Sequence, residues 1–387
     1  MARIKFENVK KTFGKVCALD GISFEIHDNE FFVLFGPAGA GKTTILNCVA
    51  GILIPDEGTI SFNDQLMNLV DPARRNVAMV FENYALYPNM TVYDNMASPL
   101  RSKLYKTDEN TIKEKVYAAA KMMKMENLLE RLPSQLSNGQ NQRVAMGRAL
   151  VRDPNVFLMD EPLAHLDAKL RNSMRTELKE MQANLGSTCI YVTHDFMEAM
   201  ALGDRIAIIN KGKIIQIGSG DEIYYMPINE FVAFLMGEPQ INIIPSTIKV
   251  EGNKYNLCFE VLGKKISMEM PVDDKVMVKI DELALRCVDI GIRPQHIQYS
   301  FEKIEGYFKA TVYSYESIGN KSVIIADCGD YQLRMIAPNG LRVQIDSDIY
   351  IHPEIGKSIV FDCESKNYIV RYDEEAVKAL ATIQEVR

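Results

Sequence analysis

The 387-residue sequence contains no apolar run approaching the roughly 18 residues that mark a transmembrane helix. Its first residues, Met1-Ala2-Arg3-Ile4-Lys5, show no signal-peptide pattern. Low-complexity tracts and short-period repeats are absent as well. From these absences we expect a chain that neither crosses a membrane nor leaves the cytosol by itself.

Cysteine is present but shows no pairing pattern. The seven cysteines are odd in number, widely spaced, and never form Cys-x-x-Cys. Most lie in apolar surroundings, as in Thr188-Cys189-Ile190-Tyr191. We therefore expect small buried thiols in a reducing compartment rather than disulfides or zinc ligands.

Basic residues are outnumbered by acidic residues. Lys and Arg number 44 against 51 Asp and Glu, which gives a net charge of −7 and a pI near 5.5. Without a long basic stripe, this balance argues against nucleic acid as the main partner. The remaining composition, 47% hydrophobic and 25% charged, is that of an ordinary globular chain, and the length predicts two or three domains.

The most informative stretch is a glycine-rich loop between a predicted strand at 31–35 and a predicted helix that stops at Gly51. The loop reads Gly36-Pro37-Ala38-Gly39-Ala40-Gly41-Lys42-Thr43-Thr44. Strand, Gly-x-x-x-x-Gly-Lys-Thr and helix form the phosphate-cradling loop in its required context, because glycines let backbone N–H groups surround an anion at a helix N-terminus. We expect Lys42 to reach the β- and γ-phosphates and the Thr43 hydroxyl to ligate Mg²⁺.

Other polar residues follow predicted buried strands. One strand ends in Asp160-Glu161, another in His194-Asp195, and a third, at 76–81, is followed by Glu82. A lone Asp-Glu pair is usually on the surface and a lone histidine is usually structural. In open α/β sheets, however, ligands gather at the carboxyl ends of the strands, and the co-occurrence favours a single site.

Helical periodicity runs from Thr91 to about Glu130 and again to Val151, where Ser137 stands at the N-cap position. Phe13, next to a glycine shortly before the phosphate loop, is a candidate for stacking on adenine. Aromatics are more often buried, so packing in the core is the alternative. From about 240 the pattern changes to short strands with turn signals, which predicts an all-β region.

Together these residues resemble the nucleotide-binding subunits of ATP-binding cassette (ABC) transporters. The matching segments are the phosphate loop at 36–44, the signature Leu136-Ser137-Asn138-Gly139-Gln140, the Walker B pair Asp160-Glu161, the D-loop residues Leu166-Asp167, and the switch histidine His194. The resemblance implies an α/β P-loop NTPase cassette over 1–237, with a helical subdomain at about 88–152.

Three runs, at 84–92, 166–171 and 291–297, are similar to the maltose-type sugar-importer ATPases. This resemblance implies a C-terminal all-β regulatory domain of OB-like (TOBE) type at 238–387. It also implies ATP hydrolysis that powers uptake of a solute, with carbohydrate favoured, at the cytoplasmic face of the membrane. The implied partners are two integral membrane permease subunits and, indirectly, an extracytoplasmic solute-binding protein. Polyamine, glycerol-phosphate and metal importers share much of the cassette, so the substrate rests on resemblance alone.

The resemblance further implies a head-to-tail dimer, homomeric or heteromeric, that encloses two ATP molecules. Asp160 would hold Mg²⁺, Glu161 would polarise the attacking water, and His194 would contact the γ-phosphate. The remaining nucleotide contacts would come from Asp167 and, across the dimer, from Ser137, Gly139 and Gln140. The segment from Tyr84 to Met90 either receives a permease helix or packs within the domain.

Three positions depart from the family pattern. Glu82 stands where the family has a glutamine that contacts Mg²⁺. A carboxylate about 4 Å from phosphate is repelled by roughly 4 kcal/mol at an effective dielectric near 20. Direct ligation of Mg²⁺ by Glu82 would offset this repulsion. Asn138 replaces a signature glycine, and Ala164-His165 replaces Ser-Asn in the D-loop. Two alternatives therefore stay open: a slow, degenerate half of an unequal pair, and a soluble ABC ATPase acting on ribosomes or DNA.

Overall fold

The computed structural model describes residues 2–102, 107–164, 166, 168–251, 254–270, 287–318 and 321–371. The chain divides into two compact units, Met1–Gly220 and Asp221–Arg387. The family-based boundary between 237 and 238 stays a prediction. Within the described residues, no helix combines the length and apolarity that a bilayer crossing requires.

The first unit contains mixed α/β structure. Its strands are β1 (Ile4–Phe13), β2 (Val16–Ile26), β3 (Phe31–Phe35), β4 (Glu57–Phe62), β5 (Gln65–Leu66), β6 (Val77–Val80), β7 (Val156–Asp160), β8 (Thr188–Thr193), β9 (Arg205–Asn210) and β10 (Lys213–Gly218). Its helices are α1 (Lys42–Ala50), α2 (Val92–Ala97), α3 (Glu109–Met122), α4 (Asn138–Leu150), α5 (Ala168–Leu185) and α6 (Phe196–Leu202). The strand before the phosphate loop and the helix after it are therefore confirmed.

Two sheets build this unit. One has the strand order β10-β9-β3-β8-β7-β6, with β3, β6, β7, β8 and β9 in parallel pairings; the other is antiparallel in the order β2-β1-β4-β5. Every residue of β3, β7 and β8 is buried, as expected for central parallel strands covered on both faces. Because parallel strands end at one edge, the residues after β3, β6, β7 and β8 come together there.

Arg75 holds the far end of α1. It is 3% exposed, and its Nη1 donates to the carbonyl oxygens of Cys48 at 2.8 Å and Val49 at 2.9 Å. Its Nη2 donates to Met67 O at 2.6 Å and its Nε to Val70 O at 2.9 Å. A cation at a helix C-terminus satisfies the last carbonyls and opposes the negative end of the helix dipole.

The second unit is rich in strands. After the short helices α7 (Gly220–Tyr225) and α8 (Glu230–Leu235) come β11 (Asn242–Glu251), β12 (Lys254–Val261), β13 (Lys264–Glu269), β14 (Cys287–Ile292), β15 (Ile297–Ser300), β16 (Phe308–Ile318), β17 (Lys321–Asp327), β18 (Gln332–Ala337), β19 (Asp348–Pro353), β20 (Ile359–Asp362) and β21 (Tyr368–Arg371). They form antiparallel sheets in the orders β13-β12-β11-β14-β20-β21 and β15-β19-β16-β17-β18.

One hydrophobic core joins these two sheets. It includes Leu257, Val288 and Ile290 from the first sheet and Ile324 and Ile351 from the second. Alternate residues of β14 and its neighbours point away from this core, and part of that outer face is covered by α8 through Ala233 and Phe361. For the described residues from 240 onward, these sheets confirm the predicted all-β character.

Candidate active site

The phosphate loop connects β3 to α1 through backbone conformations that demand glycine. Gly41 has a φ of 111° at the N-cap of α1, and a Cβ there would lie 2.6 Å from Ala18 O. A Cβ on Gly36 would lie 2.2 Å from Ile209 O. The loop is therefore wrapped tightly at the edge of the sheet, with the positive end of α1 facing the space it encloses.

Lys42 and Thr43 begin α1 beside this loop. Lys42 is 5% exposed; its Nζ donates to Gly36 O at 2.8 Å and Pro37 O at 3.0 Å and lies 3.7 Å from Glu161 Oε1. Burial lowers the pKa of Lys42, and the charges of Glu161 and Asp160 oppose that shift. The Thr43 hydroxyl donates to Asp160 Oδ1 at 3.2 Å. The loop, its lysine and its threonine thus meet the carboxylates at the end of β7.

Asp160 and Glu161 occupy the carboxyl end of β7. Asp160 is 8% exposed, and its pKa is raised mainly by burial, against the hydrogen bond from Thr43. The charges of Glu161 and Glu82 raise that pKa further, so Glu82, which follows β6, acts electrostatically on the same site. Three carboxylates therefore share this edge of the sheet, as the sequence predicted from three strand ends.

His194 follows β8 and contacts Glu161. His194 Nδ1 lies 2.7 Å from Glu161 Oε2, and because an ionised carboxylate only accepts, the imidazole Nδ1–H donates. Glu161 has a φ of 46°, and its N–H donates to Val192 O of β8 at 3.0 Å. The neighbouring strand thus holds both the backbone and the side chain of Glu161, with its carboxylate between an imidazole and an ammonium.

A buried hydrogen-bond network next to His194 was not predicted from the sequence. Tyr191 Oη and Thr193 Oγ1 both donate to Glu198 Oε2, at 2.9 Å and 2.7 Å. Asp195 caps α6 by accepting from the N–H groups of Met197 and Glu198. The sequence did contain a signal for this arrangement: Glu198 comes three residues after the N-cap Asp195, the spacing of a capping box. This network fixes the end of β8 from which His194 projects.

The signature residues lie at the N-terminus of α4. Ser137 Oγ accepts from the N–H of Gln140 at 3.3 Å, and Gln140 Oε1 accepts from the N–H of Ser137 at 3.0 Å. This capping box confirms the predicted N-cap, and it places Ser137, Gly139 and Gln140 at a second helix N-terminus, separate from α1. Asp167, and with it His165 of the D-loop, lies outside the described residues.

Phe13 ends β1 at the turn into β2. It is 47% exposed, so the alternative that it is a core residue is wrong. Lys11 Nζ lies 5.8 Å from the centre of the Phe13 ring. The exposed face of the ring is therefore available for stacking on a ligand, and its contact with adenine stays a prediction.

The segment from Tyr84 to Met90 has a backbone held by hydrogen bonds, and two of its large side chains are exposed. Arg148 donates to Tyr84 O at 2.9 Å and to Ala85 O at 2.7 Å. Asn95, fully buried, donates to Tyr87 O and Met90 O. Tyr87 and Met90 are 50% and 40% exposed. The backbone of this segment packs within the unit, while the side chains of Tyr87 and Met90 face solvent.

Comparison with known proteins gives consistent results. The ABC transporter family profile matches residues 19–164. The trehalose/maltose import ATP-binding protein MalK of Thermococcus litoralis is 43% identical over 366 residues, covering 90% of this chain and 96% of the relative. The sn-glycerol-3-phosphate import ATP-binding protein UgpC of Brucella abortus is 49% identical over 247 residues, covering 64% of this chain and 70% of the relative.

A solved structure agrees with these relatives. The dimeric post-hydrolysis structure of an ATP-binding cassette with ADP and Pi is 30% identical to this chain and superimposes with a TM-score of 0.51, covering 56% of this chain and 98% of the other. The phosphate loop, the carboxylates after β7 and the histidine after β8 are the features expected of such a cassette. The chain therefore belongs to the ATP-binding proteins of ABC transporters, which are ATPases coupled to transport.

Proposed function

We propose that this chain hydrolyses Mg-ATP to power a carbohydrate importer at the cytoplasmic face of the membrane. The observation that carries the catalytic part is the position of Glu161, 2.7 Å from His194 Nδ1 and 3.7 Å from Lys42 Nζ. A carboxylate so placed accepts a proton from an attacking water while the lysine stabilises phosphate charge.

The residues around α1 suit a magnesium ion. Thr43 and Asp160 supply hard oxygen ligands, and Glu82 adds a third from the end of β6. Within the described parts of the chain, no group of three or more His, Cys, Asp or Glu is arranged to hold a metal by itself. Phosphate oxygens and water would therefore complete the coordination. When bound, the ion would neutralise charge on the phosphates.

Each remaining residue has a distinct task. Lys42 exchanges its bonds to Gly36 O and Pro37 O for the β- and γ-phosphates, and the loop N–H groups of residues 36–44 surround the same phosphates. His194 orients Glu161 through Nδ1 and presents its other nitrogen to the γ-phosphate. Phe13 stacks on adenine, for which its exposure at the β1–β2 turn leaves room.

We further propose that two cassettes close head to tail over the nucleotide. The N-terminus of α4, where Ser137 is exposed, Gln140 half-buried and Gly139 buried, would bind the γ-phosphate held by a second subunit, and Asp167 would contribute next to it. The dimeric state of the solved cassette supports this arrangement. The exposed side chains of Tyr87 and Met90 would receive a cytoplasmic helix from one of two integral membrane permease subunits, and an extracytoplasmic solute-binding protein would select the solute.

The proposed domain assignment keeps the family-based boundaries: a cassette at 1–237, with the helical subdomain at about 88–152, and a regulatory domain at 238–387. The proposal of carbohydrate rests on sequence identity over nearly the whole chain: 43% over 90% of the chain for the trehalose/maltose protein, against 39% over 95% for a glycerol-3-phosphate import protein. Uptake of labelled maltose, trehalose and glycerol 3-phosphate by vesicles containing the chain and its permease tests the choice. Transport of glycerol 3-phosphate alone would overturn it.

A second candidate function, a slow half of an unequal pair, is favoured by one observation. Glu82 places a third negative charge beside Asp160 and raises its pKa, which weakens both the metal site and phosphate binding unless Glu82 ligates the metal. Steady-state ATPase rates of the isolated chain and of Glu82→Gln separate the cases. A large gain on restoring glutamine supports the slow half; an unchanged or lower rate supports an active site in which Glu82 works.

A further inference from the structure

Two cysteines of the second unit lie opposite each other on neighbouring strands. β14 and β20 are antiparallel, with Val288 paired to Asp362. Continuing this register by one residue places Cys287, the first residue of β14, across from Cys363, which directly follows β20. Of the groups that raise the pKa of Cys363, the Cys287 thiol has the largest effect, as expected for neighbouring side chains. Opposed residues of antiparallel strands have Cα atoms about 4.5–5.5 Å apart, a separation that disulfides span without backbone movement.

The pair is accessible from solvent. Both thiols are free; Cys287 is exposed and Cys363 is half-buried. The alternation along β14 turns Val288 into the core and leaves Cys287 on the outer face of the sheet. There Cys287 lines a surface cavity of about 530 Å³ together with Lys249 and Cys258. A small-molecule disulfide can therefore reach the sulfur of Cys287.

We propose that Cys287 and Cys363 form a reversible disulfide by exchange with a small-molecule disulfide such as oxidised glutathione. The Cys287 thiolate attacks one sulfur of the small disulfide, forming a mixed disulfide and releasing one thiolate, which takes up the proton lost by Cys287. The Cys363 thiolate then attacks Cys287 Sγ and releases the second small thiolate, which takes up the proton lost by Cys363. Two protein thiols are oxidised and one small disulfide is reduced to two thiols.

The order of attack follows from the surroundings of the two sulfurs. The hydrogen bond with Cys287, and then burial, raise the pKa of Cys363 to about 12. Thiolate is the reacting form, so Cys363 is the poorer initial nucleophile and resolves the mixed disulfide formed at Cys287. In a reducing compartment the pair stays reduced and closes only under oxidation.

The disulfide would fasten the turn between β20 and β21 to the start of β14. Lys366, in the same turn, already forms an ion pair with Asp289 of β14 and lies 3.5 Å from Glu230 Oε1 of α8. Oxidation adds a covalent tie at the other end of this turn. Because the bond closes a long loop of chain, the melting temperature of the second unit should rise by roughly 5–10 °C.

The test equilibrates the full-length chain with oxidised and reduced glutathione at several ratios, then maps non-reduced peptides by mass spectrometry and counts free thiols. We expect the loss of two thiols, one Cys287–Cys363 cross-linked peptide pair, recovery with dithiothreitol, and the rise in melting temperature. Cys258→Ser, which removes another cysteine of the same cavity, should leave all four results unchanged. Cys287→Ser and Cys363→Ser should each abolish the cross-link.

Two outcomes would overturn the proposal. One is a stable glutathione adduct on Cys287 or Cys363 of the unsubstituted chain, with no cross-link at any ratio. The other is a cross-link that joins Cys287 to Cys258. Both are measured on the unsubstituted protein, so neither result depends on whether the serine variants fold.

Discussion

Replacing Glu161 by glutamine tests the core of the proposed mechanism. The substitution keeps the size of the side chain and removes its charge and its ability to take a proton from water. Losing a general base typically lowers turnover 10²–10⁴-fold, or about 3–5 kcal/mol of transition-state stabilisation. We therefore expect Glu161→Gln to lose steady-state ATPase activity by that factor.

The same substitution should strengthen ATP binding. Glu161 Oε1 lies 3.7 Å from Lys42 Nζ, a separation worth about 4 kcal/mol at an effective dielectric near 20. Glu161 is 20% exposed, and water and the other partners of Lys42 screen the pair, so we expect a net gain of about 1–2 kcal/mol. Affinity for ATP should rise roughly tenfold, because Lys42 is released and the carboxylate no longer repels the γ-phosphate.

The assay pairs phosphate release with equilibrium binding of ATP. Glu57→Gln is the matched control: Glu57 lies on β4, is 70% exposed, and has Lys10 Nζ at 3.9 Å. The same chemical change there should alter neither rate nor affinity. An unchanged ATPase rate in Glu161→Gln, or weaker ATP binding with a normal fold, would refute the assignment of Glu161.

Ser137→Ala removes the N-cap of α4 and should lower the free energy of unfolding by about 1 kcal/mol, and the control Thr91→Ala, which removes the N-cap of α2, should cost the same. Only Ser137→Ala should weaken ATP-dependent dimerisation in light scattering; equal effects would place Ser137 outside the interface. Burial raises the pKa of Glu230 from 4.5 to about 7, so its stabilising contribution is present below pH 4.5 and is lost as pH rises through 7. The melting temperature should fall across that window more steeply than in Glu230→Gln; parallel profiles would contradict this. Leu158→Ala, in fully buried β7, should cost about 2–5 kcal/mol in urea unfolding, and a loss below about 1 kcal/mol would contradict its placement.

Much of the site was predictable because its geometry is local or follows from sheet topology. The loop at 36–44 needs only its own spacing and its flanking strand and helix. The meeting of Asp160, Glu161 and His194 follows from the rule that parallel strands end at one edge. Ser137 was recognisable as an N-cap from its own side chain and the residue three positions later.

The remaining features depend on contacts between residues far apart in the sequence. The burial of Arg75, 27 residues from Cys48, has no local signature. Phe13 is exposed because its turn extends beyond the sheet, which composition does not reveal. The expectation of buried cysteines holds for Cys48, Cys189 and Cys328 but is wrong for Cys17 and Cys287, which are exposed.

Arg75 gives the helix behind the phosphate loop a second anchor. The N-terminus of α1 faces the space enclosed by the phosphate loop. The carbonyls at its C-terminus contact the Arg75 guanidinium, which also donates to the backbone oxygens of Met67 and Val70. A movement of the phosphate loop together with α1 would therefore strain the hydrogen bonds of Arg75 to the other end of the helix. Substitutions at residues 67–75 that break these contacts should weaken nucleotide binding even though the glycine-rich loop itself is unchanged.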